Sequence, residues 1–251
     1  MSKILTGKVA LIAGGSRGLG ASIAGALADL GADVAITYVA SADKAEAVVE
    51  TLKARGVRAL AIRSDQADMA AAKPLIDTVL AHLGKLDILV NNAAIAVQGK
   101  RIDEPTDTVS LDRQWQINVM GVVAATRAAA PVLADGGRII FIGSLIGNRV
   151  PFTGVADYAG TKAAIVGYAK GAARDLGPRN ITVNVIQPGI MPTDMSVEVL
   201  GGEAPEAILD LHPIRRIATL EEVSAMVCFL AGPNGAYITG SALDVAGGLQ
   251  I

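Results

Sequence analysis

Three residues have the types and spacing needed for proton transfer. Tyr158 stands four positions before Lys162, in Tyr158-Ala159-Gly160-Thr161-Lys162, and none of the other three tyrosines has a lysine at that offset. On a helix, positions i and i+4 share a face, so an ammonium there favours the phenolate and lowers a phenol pKa that starts near ~10. A tyrosine placed in this way gives a proton to a carbonyl oxygen or takes one from an alcohol. Ser144, in Ile142-Gly143-Ser144, follows an apolar run and stands where a strand would end, so its hydroxyl can donate to the same oxygen. The plainer readings are a helix face with a solvated lysine and a serine that caps a turn.

A second group has the pattern of a phosphate cradle. Gly14-Gly15-Ser16-Arg17-Gly18-Leu19-Gly20 follows the run Val9 to Ala13, with glycines where a chain turns sharply and lets a pyrophosphate approach amides at a helix N-terminus. A tight strand-to-helix turn with no ligand would look the same. Dinucleotide folds place an acid for the ribose 2′-hydroxyl about 20 residues further on. Here that place holds Ile36-Thr37-Tyr38-Val39-Ala40-Ser41, and Asp43 comes too late. A neutral site does not repel a 2′-phosphate, and Arg17, unless it is simply a solvated loop residue, attracts one with help from Ser41 or Lys44. NADP(H) is therefore expected over NAD(H).

These groups need elements to hold them, and the hydropathy pattern supplies them. Short β-branched runs alternate with Ala-rich stretches, which predicts strands at Lys8–Ala13, Asp33–Tyr38, Arg58–Arg63, Leu86–Val90, Arg138–Ile142, Thr182–Ile186 and Ser241–Val245. Helices are expected at Gly18–Leu30, Lys44–Arg55, Met69–Leu83, Leu111–Leu133, Tyr158–Leu176 and Leu220–Leu230. The fold class is α/β: a single-domain Rossmann fold over residues 1–251, with a doubly wound, seven-stranded parallel sheet and helices on both faces. The period is lost after Pro188, and residues 190–213, with Gly201, Gly202, Pro192, Pro205 and Pro213, read as a substrate lid. Its Met191, Met195, Val197, Val199, Leu200, Ile208 and Leu209 either line an apolar pocket or pack the lid onto the body.

Composition narrows the function classes. With 51% hydrophobic and 18% charged residues the chain can bury a large core, and a net charge of −2 without like-charge blocks gives no footprint for nucleic acid or anionic membrane. A small-molecule partner is expected. Cys228 is the only cysteine and His82 and His212 are far apart, so neither a disulfide nor a metal site is expected, and a soluble, cytoplasmic protein fits. Cys228 is expected as a small core residue, and both histidines and Trp115 as packing or surface residues.

In this order, the motifs resemble those of the short-chain dehydrogenase/reductase family from about Lys8 to Gly248. They are the glycine loop, Asp65, Asn91-Asn92-Ala93-Ala94, Asn118, Ser144, Tyr158 with Lys162, and Pro188-Gly189 with Thr193. The resemblance implies that Tyr158 is the acid/base and that Ser144 orients the carbonyl. It also implies that Lys162 binds the nicotinamide ribose and lowers the tyrosine pKa, and that Asn118 holds a water in a proton relay. Gly14, Ser16, Arg17, Gly18, Leu19, Gly20, Tyr38, Ser41, Asp65, Gln66, Asn92, Ala93, Tyr158, Lys162, Pro188, Gly189, Ile190 and Thr193 would contact the cofactor. Ala13 replaces the family's usual Thr and Ala94 its usual Gly, which bears on cofactor affinity. Reductases of acyl carrier protein thioesters carry basic residues flanking the entrance to the active site, where this chain has Asp135 at one place and Arg179 at another. The expected activity is NADPH-dependent reduction of a ketone or aldehyde to an alcohol. The alternatives are 3-oxoacyl-(acyl carrier protein) reduction or a non-catalytic, ligand-binding regulator. A homotetramer is also implied.

Overall fold

The computed structural model describes residues 3–104, 108–201 and 205–251, with side chains omitted at 198–200. Seven parallel strands form one sheet in the order β3-β2-β1-β4-β5-β6-β7. They are β1 (Val9–Ile12), β2 (Asp33–Tyr38), β3 (Ala59–Arg63), β4 (Leu86–Asn91), β5 (Leu133–Ile142), β6 (Thr182–Pro188) and β7 (Ala242–Val245). Chain order reverses between β1 and β4. The carboxyl ends of those two strands therefore diverge into a crevice, the place where open parallel sheets bind ligands.

The central strands are buried on both faces, as continuous apolar runs such as Val9-Ala-Leu-Ile12 require. On one face α1 (Gly18–Asp29), α2 (Ala42–Ala54) and α9 (Leu220–Ala231) enclose a core of Ile12, Ile23, Leu27, Ile36, Val49, Val223 and Val227. On the other, α3 (Ala72–Leu83), a long helix from Val109 and α6 (Ala156–Leu176) enclose Leu11, Ile76, Val79, Leu89, Phe141 and Ile165. No helix among the described residues is long and apolar enough to cross a membrane.

Two boundaries differ from the expected ones. The helix expected over Leu111–Leu133 runs as α4 (Val109–Trp115), a π-turn (Gln116–Gly121) and α5 (Val122–Ala129). It stops there because Pro131 has no amide hydrogen to continue it. The residues beyond it join β5: Leu133 pairs with Leu86, the chain bulges through Gly136 at φ 74°, and regular pairing resumes where Arg138 meets Ile88. The expected lid contains two short helices, α7 (Asp194–Leu200) and α8 (Glu206–Leu209). Gly202 and the side chains of Val199 and Leu200 lie outside the described residues.

The π-turn packs directly against the loop after β3. A Cβ on Gly121 would lie 1.9 Å from the Gln66 carbonyl oxygen, so only glycine fits there without a backbone shift. Gly121→Ala is expected to cost roughly 2–3 kcal/mol, read as a lowered urea midpoint at unchanged slope; a wild-type midpoint would show that the turn yields.

Candidate active site

The cleft sits at the carboxyl ends of the strands and holds a cavity of about 440 Å³. Gly14, Ser16, Arg17, Gly18, Leu19, Gly20, Tyr38, Ser41, Asp65, Gln66, Asn92, Ala93, Tyr158, Lys162 and Thr193 all line it. Asn118 and Ser144 do not line it but are bonded to residues that do, Ile95 and Tyr158 respectively. Of Pro188, Gly189 and Ile190, none lines this cleft, and the last two border a neighbouring cavity of about 310 Å³ together with His212 and Arg216.

The glycine loop is held by side chains from its neighbours. The Gly14 amide donates to Thr37 Oγ1 at 2.9 Å, and Asn92 Nδ2 donates to the carbonyls of Ala13 and Gly14, each at 3.0 Å. Ala13 has no hydroxyl, so Asn92 ties the loop to the β4 motif through its main chain. Gly14 and Gly18 take φ of 69° and 52°, the left-handed region glycine enters freely. At Gly20 a Cβ would meet the Gly14 carbonyl oxygen at 2.1 Å. Arg17 extends from the loop and pairs with Asp194 at the start of α7, both partners being largely exposed.

At the far end, Asp65 is held below the usual carboxylate range by the Ala67 amide, with Arg113 of α4 adding to the effect through a 3.0 Å ion pair. Gln66 Nε2 donates to Ala93 O at 2.9 Å and to Ile117 O at 2.8 Å. The side-chain amide of Gln66 is thus engaged within the protein, while the residue still lines the cleft.

Tyr158 and Lys162 are buried on α6, at 7% and 3% exposure. Burial pushes the Tyr158 phenol above its usual range, and a hydrogen bond with the Ser144 side chain pulls it partly back. Lys162 Nζ lies 5.7 Å from the centroid of the Tyr158 ring and donates to Ile142 O at 3.0 Å. The ammonium lies by the ring, and burial sets the direction of the Tyr158 shift. Desolvation also brings Lys162 down to about 8. Ser144 Oγ further accepts from the Ile146 amide at 3.3 Å, which caps the short 3-10 turn Leu145–Gly147.

The Asn118 side chain is bonded within the protein. Its Oδ1 accepts from the Ile95 amide at 2.9 Å, and its Nδ2 donates to Ile95 O at 2.8 Å and Thr161 Oγ1 at 3.3 Å. It clamps the loop after β4 to the π-turn, while Gln114 accepts from the Val97 amide at 2.6 Å. Trp115 packs near Gly160 and donates to Asp157 Oδ1 at 2.8 Å, beside Tyr158.

Of the lid side chains, Met195 lines the cleft, Met191 packs on the body and Val197 is exposed. His212 is buried with Nδ1 2.9 Å from Ile208 O, and Cys228 is part-buried in the core, its thiol pushed up to about 11 by burial. Asp135 and Arg179 pair at 2.8 Å at the amino ends of β5 and β6, opposite the cleft, so neither flanks its mouth within this chain. Thr37, Arg113, Gln114 and Asp194 went unread in the sequence; only Thr37, a hydroxyl inside an apolar strand, offered a signal there.

A family model described as enoyl-(acyl carrier protein) reductase matches residues 13–250. The chain is 41% identical over 242 residues, 96% of its length and 97% of the relative's, to the cyclic-di-GMP-binding biofilm dispersal mediator protein of Escherichia coli K12. It is 39% identical to the 3-oxoacyl-[acyl-carrier-protein] reductase of Staphylococcus aureus Mu50, covering 97% of this chain and 98% of the relative. A short-chain dehydrogenase of Burkholderia cenocepacia J2315, solved with NADP, superposes at a TM-score of 0.94 with 45% identity, covering 99% of this chain and all of that one.

The buried lysine has a consequence for stability. Its pKa falls from 10.5 in the unfolded chain to about 8 in the fold, so above pH 8 the unfolded state holds more protons. Burial of the ammonium therefore opposes folding fully at neutral pH and progressively less as pH rises toward 10.5. Urea unfolding of wild type beside Lys162→Met should show wild type gaining relative stability between pH 8 and about pH 10; a pH-independent difference would mean that Lys162 titrates normally.

Proposed function

The chain belongs to the short-chain dehydrogenase/reductase family, and from that premise we propose that it is an NADPH-dependent reductase of ketone or aldehyde carbonyls. The observation that carries the reading is the buried pair Tyr158 and Lys162, with half-buried Ser144 bonded to Tyr158, at one end of a glycine-lined cleft. The residues present suit the cofactor. Glycine at 20, where a Cβ would strike the Gly14 carbonyl oxygen, lets the loop fold closely onto the start of α1 as a pyrophosphate site needs, and a β2 end without an acid suits a 2′-phosphate. The glycine loop, Tyr38, Ser41, Asp65, Asn92, Ala93, Lys162 and Thr193 would hold it, and Pro188, Gly189 and Ile190 belong to this reading through their main chain. NADP(H), when bound, supplies or accepts the hydride.

The protein's own part is proton delivery and orientation. A phenol pushed up by burial stays protonated at neutral pH, the form needed to donate to a carbonyl oxygen as it becomes an alkoxide. The Ser144 hydroxyl, already bonded to Tyr158, gives that oxygen a second donor and fixes its position. Lys162 poises the group: at about 8 it is mostly an ammonium at neutral pH, and it stabilises negative charge forming on the tyrosine. The Asn118 side chain is engaged, so a relay water would use its main-chain carbonyl.

Residues 190–213 act as the substrate lid in this reading, with Met195 over the cleft, so an apolar ketone is the expected substrate. A 3-oxoacyl thioester is the alternative, supported by the Staphylococcus aureus relative's name and weakened by the engagement of Arg179 away from the cleft. The Escherichia coli relative's name keeps a ligand-binding role in view, and the same assay decides against the reductase if no carbonyl turns over. A homotetramer accords with the exposed small residues Ala163, Gly167 and Gly171 along α6, which allow close helix packing.

NADPH oxidation over a panel of ketones, diketones and acetoacetyl thioesters tests the reading. Tyr158→Phe should bind NADPH within about twofold of wild type while turnover falls on the order of a thousandfold; retained turnover would overturn the assignment of the acid. Tyr38→Asp should move the kcat/KM preference toward NADH by roughly tenfold or more through repulsion of the 2′-phosphate. No shift would place phosphate recognition elsewhere.

A further inference from the structure

We propose that Gln66 is a positioning residue, which couples the adenine end of the cleft to the proton-transfer residues through the π-turn and makes no side-chain contact with a nucleotide. The proposal deepens the reading above and rests on it for its kinetic part alone.

A carboxamide nitrogen carries two hydrogens, and at Gln66 both are used, on Ala93 O at 2.9 Å and Ile117 O at 2.8 Å. Ala93 belongs to the loop that lines the cleft after β4, and Ile117 to the π-turn. The main chain of Gln66 also abuts the other end of that turn, where a Cβ on Gly121 would strike its carbonyl oxygen. Residue 66 is therefore wedged against both ends of a widened helical turn, with its side chain on one and its backbone on the other. Its neighbour Asp65 is held by Arg113, one helical turn before Ile117, so the loop grips two successive turns of the same helix.

Asn118 lies between those two ends. It holds both main-chain groups of Ile95 and donates to Thr161 Oγ1, and Thr161 Oγ1 in turn donates to Tyr158 O at 2.8 Å. The run from Gln66 through Ile117, Asn118 and Thr161 to Tyr158 is thus continuous in covalent and hydrogen bonds. A π-turn interrupts the regular i→i+4 ladder of its helix, and the tie from Gln66 braces it at that break. That tie must donate twice. A glutamate of the same length is acceptor-only when ionised and would face two carbonyl oxygens, and a methionine has no donor at all.

The test is hydrogen exchange on the ligand-free chain, wild type beside Gln66→Met and Gln66→Glu, read at the Ile95 and Val97 amides that Asn118 and Gln114 hold. NADPH affinity by nucleotide fluorescence and the pH profile of kcat on the best ketone accompany it. If Gln66 positions the turn, both amides exchange about tenfold faster in either variant. In parallel kcat falls about tenfold with a displaced alkaline limb, and NADPH affinity stays within about threefold. Wild-type exchange in both variants would overturn the proposal, and so would an NADPH affinity that falls about tenfold while kcat and its pH profile hold, the mark of a direct nucleotide contact. Should Gln66→Met not fold, Gln66→Glu, which keeps the length and polarity of the side chain, carries the same outcomes. Should wild type reduce no carbonyl, the reductase reading fails on its own and the exchange data still decide the role of Gln66.

Discussion

The arrangement of the site depends on one side chain gripping the main chain of another segment. Asn118 takes the Ile95 amide on its oxygen and gives its nitrogen to the Ile95 carbonyl, so the loop that leaves β4 is bonded much as a neighbouring strand would bond it. That loop has left the sheet at the switch point and would otherwise carry unpaired polar groups in a part-buried place, at a cost of roughly 1–3 kcal/mol each. The grip works only because the helix is widened at Asn118 and because glycine at 121 lets the next loop approach. The cofactor face and the proton-transfer face of the cleft meet at this clamp.

Around it, burial sets the chemistry more than pairing does. Tyr158 and Lys162 are both removed from water, so each is driven toward its neutral form, the phenol upward and the ammonium downward. Their pKa values therefore move apart, so at neutral pH the phenol keeps its proton and Lys162 is mostly an ammonium. The i,i+4 spacing brings the pair onto one helix face. The enclosure by β5, the 3-10 turn after Ser144 and the body of the sheet determines the direction of the shifts.

Much of this was legible in the sequence. The seven strands, the glycine loop and the pairing of Tyr158 with Lys162 follow from short-range patterns: β-branched runs for strands buried on two faces, glycines for sharp turns, helical spacing for Tyr158 and Lys162. Asp65, Asn92 and Thr193 were legible only through the family resemblance. What was not legible shares a physical cause. Leu133 belongs to a strand because Leu86 lies beside it, and Asp135 and Arg179 leave the cleft because their strands begin at the other end of the sheet. Arg17 reads as a free cation from its loop, yet its partner Asp194 is 177 positions away. Gln66 reads as a cofactor contact by position, while its amide faces two carbonyls from other segments.

The sequence by itself determined most of the elements, the parallel class of the sheet, the glycine-rich turn after β1 and the placement of Tyr158 and Lys162 on one helix face, since each rests on turn geometry, helical period or hydrophobic alternation within a few residues. Only the tertiary structure decided what each polar side chain is bonded to and which way burial moves each proton. Those depend on desolvation and on partners tens of residues away, and no local pattern of residue types encodes either.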